Sequence, residues 1–118
     1  MKMNIKITSF IALFFFACNS SIDTGLDMIS KSNFQLLKGK NVGLIINHTS
    51  VDKFNNHIID LLHSNNIEIK KIFSPEHGFK GDKSAGEFVD DSIDELSGAE
   101  IISLYGVKKY PSKKHLED

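Results

Sequence analysis

The chain has 118 residues, with 14 lysines and no arginine against 15 acids, for a formal charge of −1. Hydrophobic residues make up 41% and charged residues 25%, ordinary globular proportions that exclude long disorder and a polybasic nucleic-acid binder. The single cysteine excludes an intrachain disulfide.

The first stretch reads as an export signal. Lys2 and Lys6 precede an apolar run, Ile7 to Ala17, that includes Phe14, Phe15 and Phe16. A charged start, a short apolar centre and a small final residue are the grammar of such signals. The run falls short of the roughly 20 apolar residues that a bilayer span needs. Residues 1–17 are thus expected to be a signal peptide, 18–24 a polar tether and 25–118 one α/β domain. Cys18, directly after Phe15-Phe16-Ala17, resembles the acylated cysteine of a bacterial lipoprotein box. Phe15 departs from the leucine usual at that place. An uncleaved anchor and a plain secretory signal with a bystander cysteine are the other readings. The lipoprotein reading implies lipidation at Cys18, with several acyl chains holding the protein to a membrane of the cell envelope, facing away from the cytoplasm.

After the tether, Leu26, Met28, Ile29, Phe34, Leu36 and Leu37 predict helical pieces broken near Ser32-Asn33, with Gly39 as their C-cap. Val42 to Ile46 is a continuous apolar run, which predicts a strand buried on both faces of a parallel sheet. Ile58, Ile59, Leu61 and Leu62 predict a helix from about Asn55 to Ser64. Ile67 to Phe73 follows as a second strand, completing a βαβ unit. Residues 74–86 hold Pro75, Gly78, Gly81 and Gly86, too many breakers for a regular element. Ile101 to Tyr105 reads as a third strand, and a helix is expected to begin after Pro111. The fold class is α/β: a partial Rossmann-like parallel sheet of about three strands, preceded by a signal helix.

Three polar clusters follow the three strands: Asn47-His48-Thr49, Ser74 to Phe79, and Tyr105-Gly106. Loops after parallel strands gather at the carboxyl edge of the sheet, where ligands bind. Asn47, His48, Glu76, His77 and Tyr105 are therefore expected to converge. Glu76 stands out, because Pro75 and Gly78 make its turn rigid enough to aim a carboxylate for acid/base work. Phe79 beside it would lower the local polarity. A solvated surface turn is the competing reading. No paired-cysteine or HExxH spacing supports a metal site at His48, Glu76, His77 and Asp82, and no phosphate-binding glycine pattern supports a nucleotide. No cofactor is expected.

Taken in order, Gly25-Leu26-Asp27, Leu36-Leu37-Lys38-Gly39-Lys40, Val42-Gly43-Leu44 and Asn47-His48-Thr49 are followed by Phe73-Ser74-Pro75-Glu76-His77-Gly78-Phe79. Gly81-Asp82, Ala85-Gly86-Glu87 and Ser103-Leu104-Tyr105-Gly106 come after. This series resembles the amino-terminal part of the NamZ/YbbC-like exo-β-N-acetylmuramidases. The resemblance implies hydrolysis of the bond that releases a terminal N-acetylmuramic acid from peptidoglycan fragments. It implies a Rossmann-like domain followed by a smaller one, with the active site between them. Carried onto this chain, it makes Glu76 the catalytic acid/base candidate and Asn47, His48, His77 and Tyr105 the lining of the sugar site. Members of the family are several hundred residues long, so the resemblance makes this chain an amino-terminal part that lacks half of the cleft. Glycosidases generally need two carboxyl groups, and Asp82 and Glu87 are the only nearby companions for Glu76. The chain alone is therefore expected to be weak or inactive, with a separately encoded carboxyl-terminal part as its partner. A non-catalytic envelope lipoprotein that binds cell-wall sugar or a partner, and a decayed remnant, are the alternatives.

Overall fold

Residues 22–107 and 109–117 are described by a computed structural model; the expected signal peptide and Cys18 lie outside the described residues. Thr24 opens the first helix, α1 (Gly25–Lys31), with a reciprocal capping box: its hydroxyl accepts from the Asp27 amide, and the Asp27 side chain accepts from the Thr24 amide. Each half satisfies an amide that the helix itself leaves unpaired. Asp23 is tied down as well, through ion pairs with Lys31 and Lys53. The end of the stretch read as a tether is thus fastened to the fold.

The helical pieces expected between residues 26 and 37 reduce to α1 alone. The chain leaves α1 through a Schellman arrangement, in which the Asn33 amide donates to the Ser30 carbonyl and the Phe34 amide to the Ile29 carbonyl. Asn33 and Phe34 both take positive φ, 51° and 55°. This reversal turns Phe34 inward, where only 1% of its surface remains exposed. Burial of that ring overrides the helical spacing of Leu36 and Leu37. Gly39 does adopt positive φ, but it closes a turn rather than a helix.

Four strands make one sheet: β1 (Val42–Ile45), β2 (Ile69–Ser74), β3 (Ser92–Ile93) and β4 (Glu100–Ser103), in the order β1-β2-β4-β3. β1 pairs with β2, and β2 with β4, in parallel, as the three expected strands require. The second helix, α2 (Ile58–Ser64), provides the β1–β2 crossover. β3 is an addition to the expected set. It pairs antiparallel with β4 through Ser92–Ile101 and Ile93–Glu100. Its two residues are exposed, so they carry no periodic pattern that could announce a strand. Between β3 and β4 the Asp94 carboxylate accepts from the Ser97 amide and hydroxyl at 2.8 and 2.6 Å, tightening the hairpin turn.

One face of the sheet builds the core. Val42, Leu44, Ile46, Ile72 and Ile101 pack there with Ile59 and Leu62 of α2 and with Phe34. The other face differs from the expectation of a strand buried on both sides, because burial alternates along β1 and leaves Ile45 73% exposed. Phe73 and Ile102, in register with Ile45 across the sheet, are buried. Lys71, also on this face, donates to the carbonyls of Lys114 and Glu117. That bond brings a short 3-10 turn (Lys113–Leu116), the element found after Pro111, against the second face.

Candidate functional site

The parallel order places the segments after β1, β2 and β4 along one carboxyl edge, with the β2 segment in the middle. The chain leaves β2 through a tight turn closed by the Gly78 amide donating to the Pro75 carbonyl at 3.2 Å. Glu76 and His77 are the central residues of this turn, and both are exposed. His77 has φ of 72°, a region that costs a non-glycine residue on the order of 1 kcal/mol. It is held there by its Nδ1, which lies 2.9 Å from the Lys83 carbonyl. A carbonyl only accepts, so Nδ1 carries the hydrogen and Nε2 is left for an external partner.

Glu76 has Tyr105 as its neighbour. Ser74 and Ser103 are register partners in the parallel ladder, which continues for one more bond from the Leu104 amide to the Ser74 carbonyl at 2.8 Å. Glu76 and Tyr105 each lie two residues beyond that pair. Hydrogen bonding to the Glu76 carboxylate, and then its charge, push the Tyr105 phenol above its ordinary value near 10. The Lys109 ammonium sits over the Tyr105 ring, 4.7 Å from its centroid.

The β1 segment does something different. Asn47 spends its side-chain carbonyl on the Thr49 amide and hydroxyl, at 3.0 and 2.8 Å. The backbone carbonyl of Asn47 meets Nε2 of His57 at 2.9 Å. Meanwhile Nδ1 of His57 accepts from the Ile59 amide and caps α2. His57 was not among the expected site residues. Its place just before the apolar run Ile58-Ile59 is the only signal of a cap, and histidine is not a usual one. His48 lies over Gly81 so closely that a Cβ there would come within 2.0 Å of its Nδ1. Here glycine is required twice, by this approach and by its φ of 69°.

Phe79 does not cover Glu76. Its ring packs against the core margin and meets His57 edge-on, with centroids 5.8 Å apart. Around these rings opens a shallow cavity of about 390 Å³ lined by His48, His57, Asp60, Phe79, Lys80 and Asp94 among others. A second cavity, of about 440 Å³, lies between the 88–91 segment and the 110–115 segment, beside Ser103 and Gly106. Glu76 lines neither. The expected site residues thus share one edge but form two groups there, Glu76 with Tyr105 and His48 with the Phe79 cavity.

The two acids nearest Glu76 in sequence have unequal freedom. Glu87 accepts from the Ser84 amide at 3.0 Å and pairs with Lys83 at 3.3 Å, which hold its carboxyl below the usual range. Asp82 is exposed. Among the described residues, no three His, Cys, Asp or Glu side chains are gathered to hold a metal ion. The Ser74 hydroxyl, at the end of β2, is fully buried without a hydrogen-bond partner among the described residues.

Residues 42–118 match the family described as exo-beta-N-acetylmuramidase NamZ, N-terminal. The peptidoglycan beta-N-acetylmuramidase NamZ of Bacillus subtilis (strain 168) is 38% identical over 98 residues, which are 82% of this chain and 24% of that protein. A crystal structure of a DUF1343 family protein from Bacteroides fragilis NCTC 9343 superposes with a TM-score of 0.68 at 36% identity, over 81% of this chain and 23% of the other. A second protein of that description from the same organism gives 0.59 at 35% identity, over 80% and 22%. The chain spans about a quarter of the length of these relatives.

Proposed function

This chain belongs to the NamZ amino-terminal family, and from that premise we propose that its carboxyl sheet edge takes part in releasing terminal N-acetylmuramic acid from peptidoglycan fragments. Glu76 is the acid/base group of this reading, with Asn47, His48, His77 and Tyr105 facing the sugar. The observation that carries it is the Glu76 turn. A carboxylate sits exposed on a rigid, self-bonded turn at the carboxyl end of the middle parallel strand, where the fold class binds ligands. A glycosidic bond needs a proton donor and a second carboxylate opposite it. Glu87 is engaged by Ser84 and Lys83, and Asp82 is the remaining candidate on this loop.

Glu76 lies outside both cavities, so a sugar bound to this edge is open to water on its far side. Open water weakens every electrostatic interaction at the reacting bond. This edge by itself is therefore proposed to bind muramic-acid glycosides and to hydrolyse them slowly or not at all. The same openness favours a second reading, an envelope protein that binds the sugar without cleaving it.

Turnover of a chromogenic β-N-acetylmuraminide by the purified chain, beside Glu76→Gln, tests the assignment. Slow turnover abolished by Glu76→Gln supports it. Turnover that survives the substitution overturns the role of Glu76, and sugar binding without any turnover favours the second reading. The lipid anchor is proposed on the sequence grammar alone: Cys18→Ser should abolish labelling by palmitate in cells, and equal labelling of both proteins would remove the claim.

A further inference from the structure

We propose that Gly81 is a positioning residue, the seat on which the His48 ring rests, and that this contact locks the loop after β1 and the Glu76 turn into one unit at the sheet edge. The proposal rests on the reading of that edge given above and deepens it.

Each loop is first fastened to itself. After β1, the Asn47 amide donates to the Ser50 hydroxyl at 3.3 Å, and the Ser50 amide donates back to the Asn47 carbonyl at 3.1 Å. After β2 the turns overlap. The Gly78 amide donates to the Pro75 carbonyl and the Gly81 amide to the Gly78 carbonyl, each at 3.2 Å. His77 and Lys83 then exchange two bonds: the Lys83 amide donates to the His77 carbonyl at 3.3 Å, and His77 Nδ1 to the Lys83 carbonyl at 2.9 Å. Glu76, His77 and Gly81 therefore belong to one self-bonded segment, and fixing Gly81 fixes the backbone that carries Glu76.

His48 is the side chain that meets Gly81. A Cβ at Gly81 would fall within 3.0 Å of Nδ1, Cε1 and Cγ of the His48 ring, closer than side-chain atoms approach one another. The bare backbone of Gly81 is thus the surface on which the ring lies. His48 is otherwise exposed, and an exposed side chain samples several rotamers. The seat restricts that choice. It also bridges the two groups of site residues, because His48 follows β1 whereas Glu76 follows β2. A misplacement of about 1 Å costs on the order of 100-fold in rate, so a sugar held between His48 and Glu76 needs the two loops at a fixed separation. Gly81 provides that separation by having no side chain of its own.

The test uses Gly86 as its control. Gly86 shares the left-handed backbone of Gly81, with φ of 81° against 69°, but a Cβ there would meet nothing within 4 Å. Either alanine substitution strains the backbone, and only Gly81→Ala unseats His48. In the wild-type chain, nuclear Overhauser contacts should join the His48 ring protons to the Gly81 α protons, and their absence would overturn the seat. In urea denaturation, Gly81→Ala should lower the folding constant about tenfold more than Gly86→Ala does; in a His48→Ala background the two should cost alike. An equal cost with His48 in place would overturn the seat. Should Gly81→Ala fail to fold alone, its combination with His48→Ala should restore folding, and failure of that pair would overturn the seat as well. Function is read from binding of N-acetylmuramic acid. Gly81→Ala should weaken it about tenfold or more and Gly86→Ala about twofold or less, whereas with His48 already removed the two should act alike. Binding by Gly81→Ala equal to wild type, or the same weakening with and without His48, would overturn the positioning role. Failure of the wild-type chain to bind the sugar would sink the proposed function instead, while the Overhauser contacts and the urea comparison still decide whether the two loops are locked.

Discussion

Asp27 is buried at the amino end of α1, where its two carboxylate oxygens serve different segments. One accepts from the amide and hydroxyl of Thr24 at 2.7 and 2.8 Å; the other accepts from the Lys53 amide at 3.0 Å. Those bonds, the one from Lys53 first, lower its carboxyl from the usual value to about 2. A carboxyl lowered by folding contributes stability that is fully present above its unfolded pKa of about 3.9 and is lost as pH falls through the folded value. The urea midpoint should therefore decline between about pH 4 and pH 2. Asp23, lowered chiefly by its bond with Lys31, adds to this slope. So does Asp52, where bonds from Asn56 and Phe54 outweigh the opposing effect of burial. Asp27→Asn should reduce the slope without abolishing it. A slope equal to that of wild type would show that the Asp27 bonds do not persist in solution.

At the scale of the element, α2 is too short to be stable by itself, since isolated helices below about 12 residues are marginal in water. Its seven residues hold together because Leu62, with none of its surface exposed, and Ile59 press into the core face of the sheet. The His57 cap links the helix to the end of β1 through the Asn47 carbonyl. Leu62→Ala should cost about 2–5 kcal/mol by chemical denaturation, and the Asn47–Ser50 turn should lose hydrogen-exchange protection with it. A loss below 1 kcal/mol would mean that the core closes around the cavity, and that α2 depends on its cap more than on its packing.

For the whole molecule, the uneven cover of the sheet matters most. Parallel sheets are ordinarily buried on both faces. Here α2 and Phe34 fill one face, whereas the other has the 3-10 turn over its middle and Ile45 exposed on the edge strand β1. An apolar side chain exposed on an edge strand invites pairing with another chain. The protein should therefore self-associate as its concentration rises. Ile45→Lys should reduce that association in sedimentation velocity while changing stability by no more than about 0.5 kcal/mol. Identical sedimentation of the two proteins would show that this face is not sticky.

Much of this was legible in the residues. The apolar runs at Val42, Ile58, Ile67 and Ile101 determined three parallel strands and a crossover helix, because strand and helix periods are local properties of the chain. Pro75, Gly78 and the polar residues around them determined that a rigid loop follows β2, and the order of the motifs identified the family. Tertiary packing decided the rest. Phe34 broke the expected helix because burying its ring outweighed local spacing. Phe79 turned to His57 and the core margin instead of Glu76, since the direction of a loop side chain depends on neighbours that are distant in sequence. That Glu76 and Tyr105 follow neighbouring strands depends on the β2–β4 register, which joins residues almost thirty positions apart. Burial on one face of β1 alone depends on what packs above it, and a continuous apolar run reads the same whether or not its second face is covered.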